Sequence, residues 1–211
     1  MPYIDEFITI ALVHLVAVAS PGPDFAIVVR HSVAYGRRIA IITSIGVGLG
    51  ILLHVAYSLI GLSVVIATTP WLYQVISYLA AAYLVYLAIG ALRSGPGGDS
   101  PAVTAAKGKQ STGSMSDKRA LWTGFLTNGL NPKATLFFLS LFTAIIDVST
   151  PFSIKLGYGL YLALATGVWF CFLSYLLSTS KFAQFIGKKG YWLDRMMGVL
   201  LLGLAAKLVW V

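Results

Sequence analysis

Two interruptions decide how this 211-residue chain is read: Ser20-Pro21-Gly22-Pro23-Asp24 near the middle of one long apolar stretch, and Asn128-Gly129-Leu130-Asn131-Pro132-Lys133 near the middle of another. A proline inside a helix removes a backbone donor and clashes with the preceding turn, at a cost of about 3 kcal/mol. Each motif therefore predicts a broken helix, with amide and carbonyl groups set free halfway along it. Each also holds the ionisable group nearest the centre of its stretch, Asp24 or Lys133. At membrane depth such groups persist where protein or a water-filled cavity satisfies them. A packing kink accounts for one break as well as a functional reading does. Two breaks at matching places, carrying opposite charges, point instead to a transport site between two halves.

The surroundings of the breaks support a membrane setting. A spanning helix needs roughly 20 mainly apolar residues, and six stretches qualify, at about 4–33, 39–69, 71–92, 120–146, 152–180 and 191–211. Pro70 and Pro151 stand where helix-starting prolines commonly stand. Charged residues make up only 10% of the chain, against about 25% in a soluble domain. That is too few to coat a solvated surface, so a soluble enzyme is excluded. The lone Cys171 excludes a disulfide scaffold. A net charge of +8 would suggest nucleic acid in a soluble protein. In so apolar a chain it indicates a basic face on a lipid bilayer, and no nucleic-acid partner is expected. Asp5 and Glu6 stand where a cleavable signal would be basic, so no signal peptide is expected.

The basic residues orient the spans. Arg30, Arg37 and Arg38 lie between the first and second, while Arg93, Lys107, Lys109, Lys118 and Arg119 lie between the third and fourth. Lys181, Lys188, Lys189 and Arg195 flank the fifth connection. Twelve of the 15 basic residues thus fall on alternate connections, with only Lys155 and Lys207 on the other side. The positive-inside bias places these connections in the cytoplasm and both termini outside. Residues 93–119 are rich in Gly, Ser, Pro and charge, and read as a flexible cytoplasmic linker. The expected fold is an all-α integral membrane protein of six transmembrane helices. Residues 1–92 and 120–211 form two three-helix halves, inverted relative to one another, with helices one and four broken at proline.

Several chemistries are missing. There is no phosphate-binding G-x-x-x-x-G-K-[ST] loop, no Cys-x-x-Cys pair and no metal-ligand cluster, so no cofactor or metal is expected. Energy must come from a gradient. His14 and His54 lie inside apolar stretches and are candidates for proton relay, with neutral packing as the plainer reading. His31, beside Arg30, is expected to be solvated, as is Asp147. Gly46, Gly48 and Gly50 allow a helix to approach closely, within the chain or at a homodimer seam. Trp71, Tyr73, Trp122, Tyr191, Trp192 and Trp210 fall near span ends, as interfacial anchors do.

Pro21-Gly22-Pro23-Asp24-Phe25, followed by Arg30 and Gly36-Arg37-Arg38, resembles the first signature of the LysE/RhtB-type amino-acid exporters. Gly124-Phe125-Leu126-Thr127-Asn128 through Asn131-Pro132-Lys133-Ala134 resembles their second, and Ala82 to Ile89 is also typical of them. The resemblance covers nearly the whole chain and lies toward the threonine/homoserine branch. It implies a permease of the bacterial cytoplasmic membrane that exports small amino acids. On this reading Pro21, Gly22, Pro23, Asp24, Asn128, Asn131, Pro132 and Lys133 handle the substrate, and protons are exchanged for it. The expected pairing is Asp24 with Lys133, neutralising one another directly or through water until a zwitterion replaces the pair. Proton uptake by Asp24 would then weaken its hold on the ammonium group. The alternatives are a membrane-embedded enzyme using Asp24 and Lys133 as base and acid, or a helix-bundle scaffold. With the linker inside, a Ser111→Cys variant in a Cys171→Ala background should resist impermeant thiol reagents in intact cells while a C-terminal tag reacts; ready labelling at position 111 overturns the topology.

Overall fold

The computed structural model describes residues 2–20, 22–68, 70–95, 114–147, 149–177 and 180–210. Pro21 lies outside them, as do linker residues 96–113 with Lys107 and Lys109. So do the side chains of Tyr73, Lys181, Lys188 and Lys189. Among the described residues the chain is helical, without strands. The helices are α1 (Pro2–Ala19), α2 (Pro23–Tyr35), α3 (Arg37–Thr68), α4 (Pro70–Leu92), α5 (Asp117–Gly129), α6 (Pro132–Ala144), α7 (Phe152–Leu177) and α8 (Ser180–Trp210).

Local chemistry sets these boundaries. α2 and α6 each begin on a proline, whose fixed φ suits the first helical position and whose missing N–H costs nothing there. The α1–α2 pair is bent by 51°. Gly36 separates α2 from α3 at φ +83°, a conformation that favours glycine, and its N–H closes the last turn on the Ser32 carbonyl. α5 starts at Asp117, within the stretch expected as linker, because Ser116 caps it by accepting a hydrogen bond from the Arg119 N–H at 3.3 Å. α8 starts at Ser180, so the basic stretch expected as the fifth connection is helical. No proline interrupts residues 180–210, and Lys and Arg are good helix formers.

Two helices are long and apolar enough to cross a membrane by themselves, Arg37–Ile60 within α3 and Phe152–Leu176 within α7. The bent α1–α2 pair makes a third if it forms one span. α5 opens on Asp117-Lys118-Arg119 and the first half of α8 carries four basic residues, which dilutes the apolar signal of both.

α3 is the central helix, packing on α2, α5, α6 and α7, while α4 packs along α8. The α3–α5 seam is made by glycine. A Cβ on Gly124 would collide with the Thr43 carbonyl oxygen, and one on Gly46 with the Leu121 carbonyl oxygen. Gly48 faces Gly167 of α7, where a Cβ would lie 2.9 Å from the glycine Cα. The small-residue stripe of α3 therefore serves packing inside the chain. Ile51, Val55 and Leu84 join Phe138, Leu141, Leu162 and Leu201 in the main core, and Phe25, Val28 and Val47 join Phe170 and Leu173 in a second cluster. At one end the Glu6 carboxylate accepts hydrogen bonds from the Asp147 N–H and the Thr150 hydroxyl, both at 3.0 Å, tying α1 to the α6–α7 turn.

Asp147 is exposed, and hydrogen bonds from the Ser149 hydroxyl and N–H hold its carboxyl below the usual range. Trp71, Trp122, Trp192 and Trp210 are exposed, as interfacial anchors would be. His31 departs from expectation. It is buried, with Nδ1 2.7 Å from the Thr43 hydroxyl and its ring edge-on to Tyr35, because α2 turns that face onto α3. Gly124→Val should force α5 off α3 at a cost of about 1–3 kcal/mol and lower the melting temperature of the purified protein. Gly203→Ala, with nothing within 4 Å of the new methyl, should leave it unchanged or slightly raised; equal melting temperatures for the two variants would contradict the seam.

Candidate functional site

The two helix breaks meet. Asp24 stands in the first turn of α2, and its Oδ2 accepts hydrogen bonds from Asn128 Nδ2 at 3.0 Å and Asn131 Nδ2 at 3.1 Å. Asn128 belongs to the last turn of α5 and Asn131 is the residue that starts α6. Asn131 works in two directions, because its Oδ1 also accepts from the Lys133 N–H at 3.0 Å and so caps α6. One residue thus fixes both the carboxylate of one break and the helix of the other. The second Asp24 oxygen, Oδ1, is buried and has no hydrogen-bond partner within the protein.

Of the two forms of pairing expected of Asp24 and Lys133, direct or through water, the direct one is absent: among the described residues no carboxylate oxygen lies within ion-pairing distance of Lys133 Nζ. Magnitudes explain why. A charge at the centre of a bilayer costs roughly 2.5–3.5 kcal/mol on insertion scales. A hydrogen bond to a charged group returns about 1.5–3 kcal/mol, and Asp24 accepts two of them. The carboxylate is therefore accommodated without a cation in contact. Lys133 turns the other way, where its Nζ donates to Ser20 Oγ at 3.2 Å. The Ser20 hydroxyl in turn donates to Asp194 Oδ1 of α8 at 2.9 Å.

Lys133 is placed against the local rule. A cation in the first turn of a helix opposes the helix dipole, whereas an acid there, as at Asp24, is favoured. A lysine kept in that position, half-buried and reaching a neighbouring break, is held for what it meets and not for the helix that carries it.

A small cavity of about 60 Å³ lies between the breaks, bordered by Ser20, Gly22, Pro23, Asp24, Asn128, Asn131 and Lys133. Its apolar wall includes Phe137, Phe138, Phe170 and Met197. A few polar groups set in apolar walls is the composition common to small-molecule sites. His14 borders it as well, buried, with Nε2 2.9 Å from the Thr166 hydroxyl. His54 does not. It stands behind Asn128, its Nε2 2.9 Å from the Asn128 carbonyl oxygen, Nδ1 against the Tyr57 hydroxyl and ring stacked on Phe138. A carbonyl at the broken end of α5 thereby finds a donor in the membrane interior, as it must. Pro132 is exposed and outside the cavity lining, so it shapes the break through its ring alone.

Sequence reasoning missed Ser20 as a working side chain, Thr166 and Asp194. Ser20 was visible as the first residue of its motif. Asp194 had a weak signal, an acid fourteen residues after α8 begins among basic neighbours, and nothing in one dimension ties it to position 133. Among the described residues no group of three or more metal-ligating side chains comes together.

The chain matches the family model described as LysE type translocator over residues 15–210. It is 29% identical over 203 residues to the threonine efflux protein of Salmonella typhi, covering 96% of this chain and 97% of that one. It is 27% identical to the threonine efflux protein of Escherichia coli strain K12, with the same coverage. The leucine efflux protein of Salmonella choleraesuis is 33% identical over 89% of this chain and 87% of its own. No solved structure matches it significantly. With paired helix breaks, a central cavity and a family match over nearly its whole length, the chain belongs to the LysE type translocator family.

Proposed function

We propose that the protein exports small neutral amino acids, of the size of threonine or leucine, from the bacterial cytoplasm by exchange for protons. The observation that carries this reading is the cavity that sets Asp24, Asn128, Asn131 and Lys133 together among apolar walls. An amino acid's ammonium group fits the carboxylate, its own carboxylate fits the lysine, and the Phe137, Phe138 and Phe170 wall receives the side chain. The two amides fix which face of Asp24 remains for the ligand, and hence the ligand's orientation. Relatives named for threonine and leucine efflux support the substrate class.

The architecture we propose for this task is six spans in two inverted halves. The broken α1–α2 and α5–α6 would be equivalent, as would α3 and α7, and α4 and α8. Packing of α3 on α7 and of α4 on α8, each against its counterpart, supports the reading. So does the cluster of Arg37, Arg38 and Lys118 near the Arg38–Asp117 ion pair of 2.7 Å, at the end where the linker leaves and returns. That end would face the cytoplasm, with both termini and the Glu6–Thr150 contact outside. His14, on the cavity wall, is the better placed of the two histidines for passing a proton; His54 serves as a prop for Asn128.

Everted membrane vesicles loaded by a pH gradient test the reading. Asp24→Asn should raise the apparent KM for L-threonine or L-leucine about tenfold to a hundredfold, as loss of one charge-assisted contact of about 1.5–3 kcal/mol implies. Exchanging the charges, Asp24→Lys with Lys133→Asp, should give an inserted protein that does not transport, because the asparagines still face position 24. Saturable transport by the exchanged variant would show that the two charges merely hold the helices together.

A further inference from the structure

We propose that Asp194 is the lock of the empty carrier: through Ser20 it holds Lys133 in place, and the bridge must open before the helices rearrange. The inference rests on the export reading and adds to it a residue that does not line the cavity. The chain of contacts runs from Lys133 Nζ to Ser20 Oγ at 3.2 Å and from Ser20 Oγ to Asp194 Oδ1 at 2.9 Å. It joins α6, the end of α1 and α8, three elements that belong to different spans. Ser20 is buried while Lys133 and Asp194 are half-buried, so solvent does little to weaken the bridge.

Geometry separates the two carboxylates: Lys133 Nζ reaches Asp194 through Ser20. Asp24 is already served by two amides. Asp194 receives the Ser20 hydroxyl. Arg195 of its own helix turns away, with Nε donating to the Ser94 carbonyl at 3.0 Å. Among the described residues Lys133 is the cation linked to Asp194 through a hydrogen-bonded bridge.

A substrate carboxylate entering the cavity competes for Lys133 and draws it from Ser20. A proton on Asp194 removes the charge that organises the bridge. Either event opens the lock, and the empty unprotonated carrier stays shut. An exchanger requires this, since a carrier that could return empty and unprotonated would dissipate the gradient. Asp194 acts through Ser20 and is a positioning residue.

The test uses the full-length protein in proteoliposomes with tritiated L-threonine. In the wild type, threonine–threonine exchange should outrun net efflux without a pH gradient. Asp194→Asn keeps the shape and an acceptor for Ser20, and should raise net efflux about tenfold with exchange maintained, the factor expected for losing one charge-assisted hydrogen bond. Ser20→Ala breaks the bridge from the other side and should likewise raise the ratio of net efflux to exchange. An unchanged ratio of exchange to net efflux, or a parallel loss of both in folded protein, overturns the proposal. A second arm does not depend on transport. Spin labels at Leu12 of α1 and Val199 of α8, both exposed, are placed in a Cys171→Ala background. They should report one distance in the empty wild type and a second population in Asp194→Asn. Identical distributions overturn the lock even if threonine proves not to be a substrate, whereas failure of wild-type exchange alone strikes only the export reading.

Discussion

A carboxylate held by two amides organises this protein. Asp24 is a charge halfway along a broken helix, where water is not there to solvate it freely, and Asn128 and Asn131 supply what water would. Because both amides come from the second break, satisfying one charge brings the two interrupted helices together. The remaining contacts follow. Asn131 caps α6 and so aims Lys133, while Asn128 offers its carbonyl to His54. Asp24, Asn128, Asn131 and Lys133 all border the cavity. The cost of a buried charge and the making of a binding surface are thus settled by the same groups.

The second break is supported very differently on its two sides. Toward α3 it is backed by a seam in which glycines 46 and 124 let backbones touch, an arrangement with many small contacts and no room to slide. Toward α1 and α8 it shares the main core with Ile10, Met197 and Leu201, and a polar lysine–serine–carboxylate bridge is added. Close packing resists displacement in every direction, whereas a polar bridge opens when one partner is neutralised or finds a better match. A site whose contents decide which helices are joined needs one side of each kind.

A good deal was legible before any coordinates. The sparse charge and the long apolar stretches point to a helical membrane protein, because apolar length acts locally and leaves a pattern in one dimension. The two proline motifs mark residues 20–24 and 128–133 as candidates, because an ionisable group in such a stretch has few other reasons to exist. The glycine stripe of α3 announced a close helix contact by its spacing alone.

Tertiary structure decided the partners. Sign and depth along the chain suggest that Asp24 and Lys133 should find each other, yet the rotation of each helix turns Asp24 toward two amides and Lys133 toward Ser20 and Asp194. His31, beside an arginine in sequence, is buried against Thr43 for the same reason. Asp194 enters the site from 61 residues beyond Lys133, across a connection whose length says nothing about proximity. Local rules determine where a helix breaks and which charges it must accommodate; only the packed arrangement of neighbouring helices decides which donor reaches which acceptor, because that choice turns on distances of a few tenths of an ångström between elements far apart in the chain.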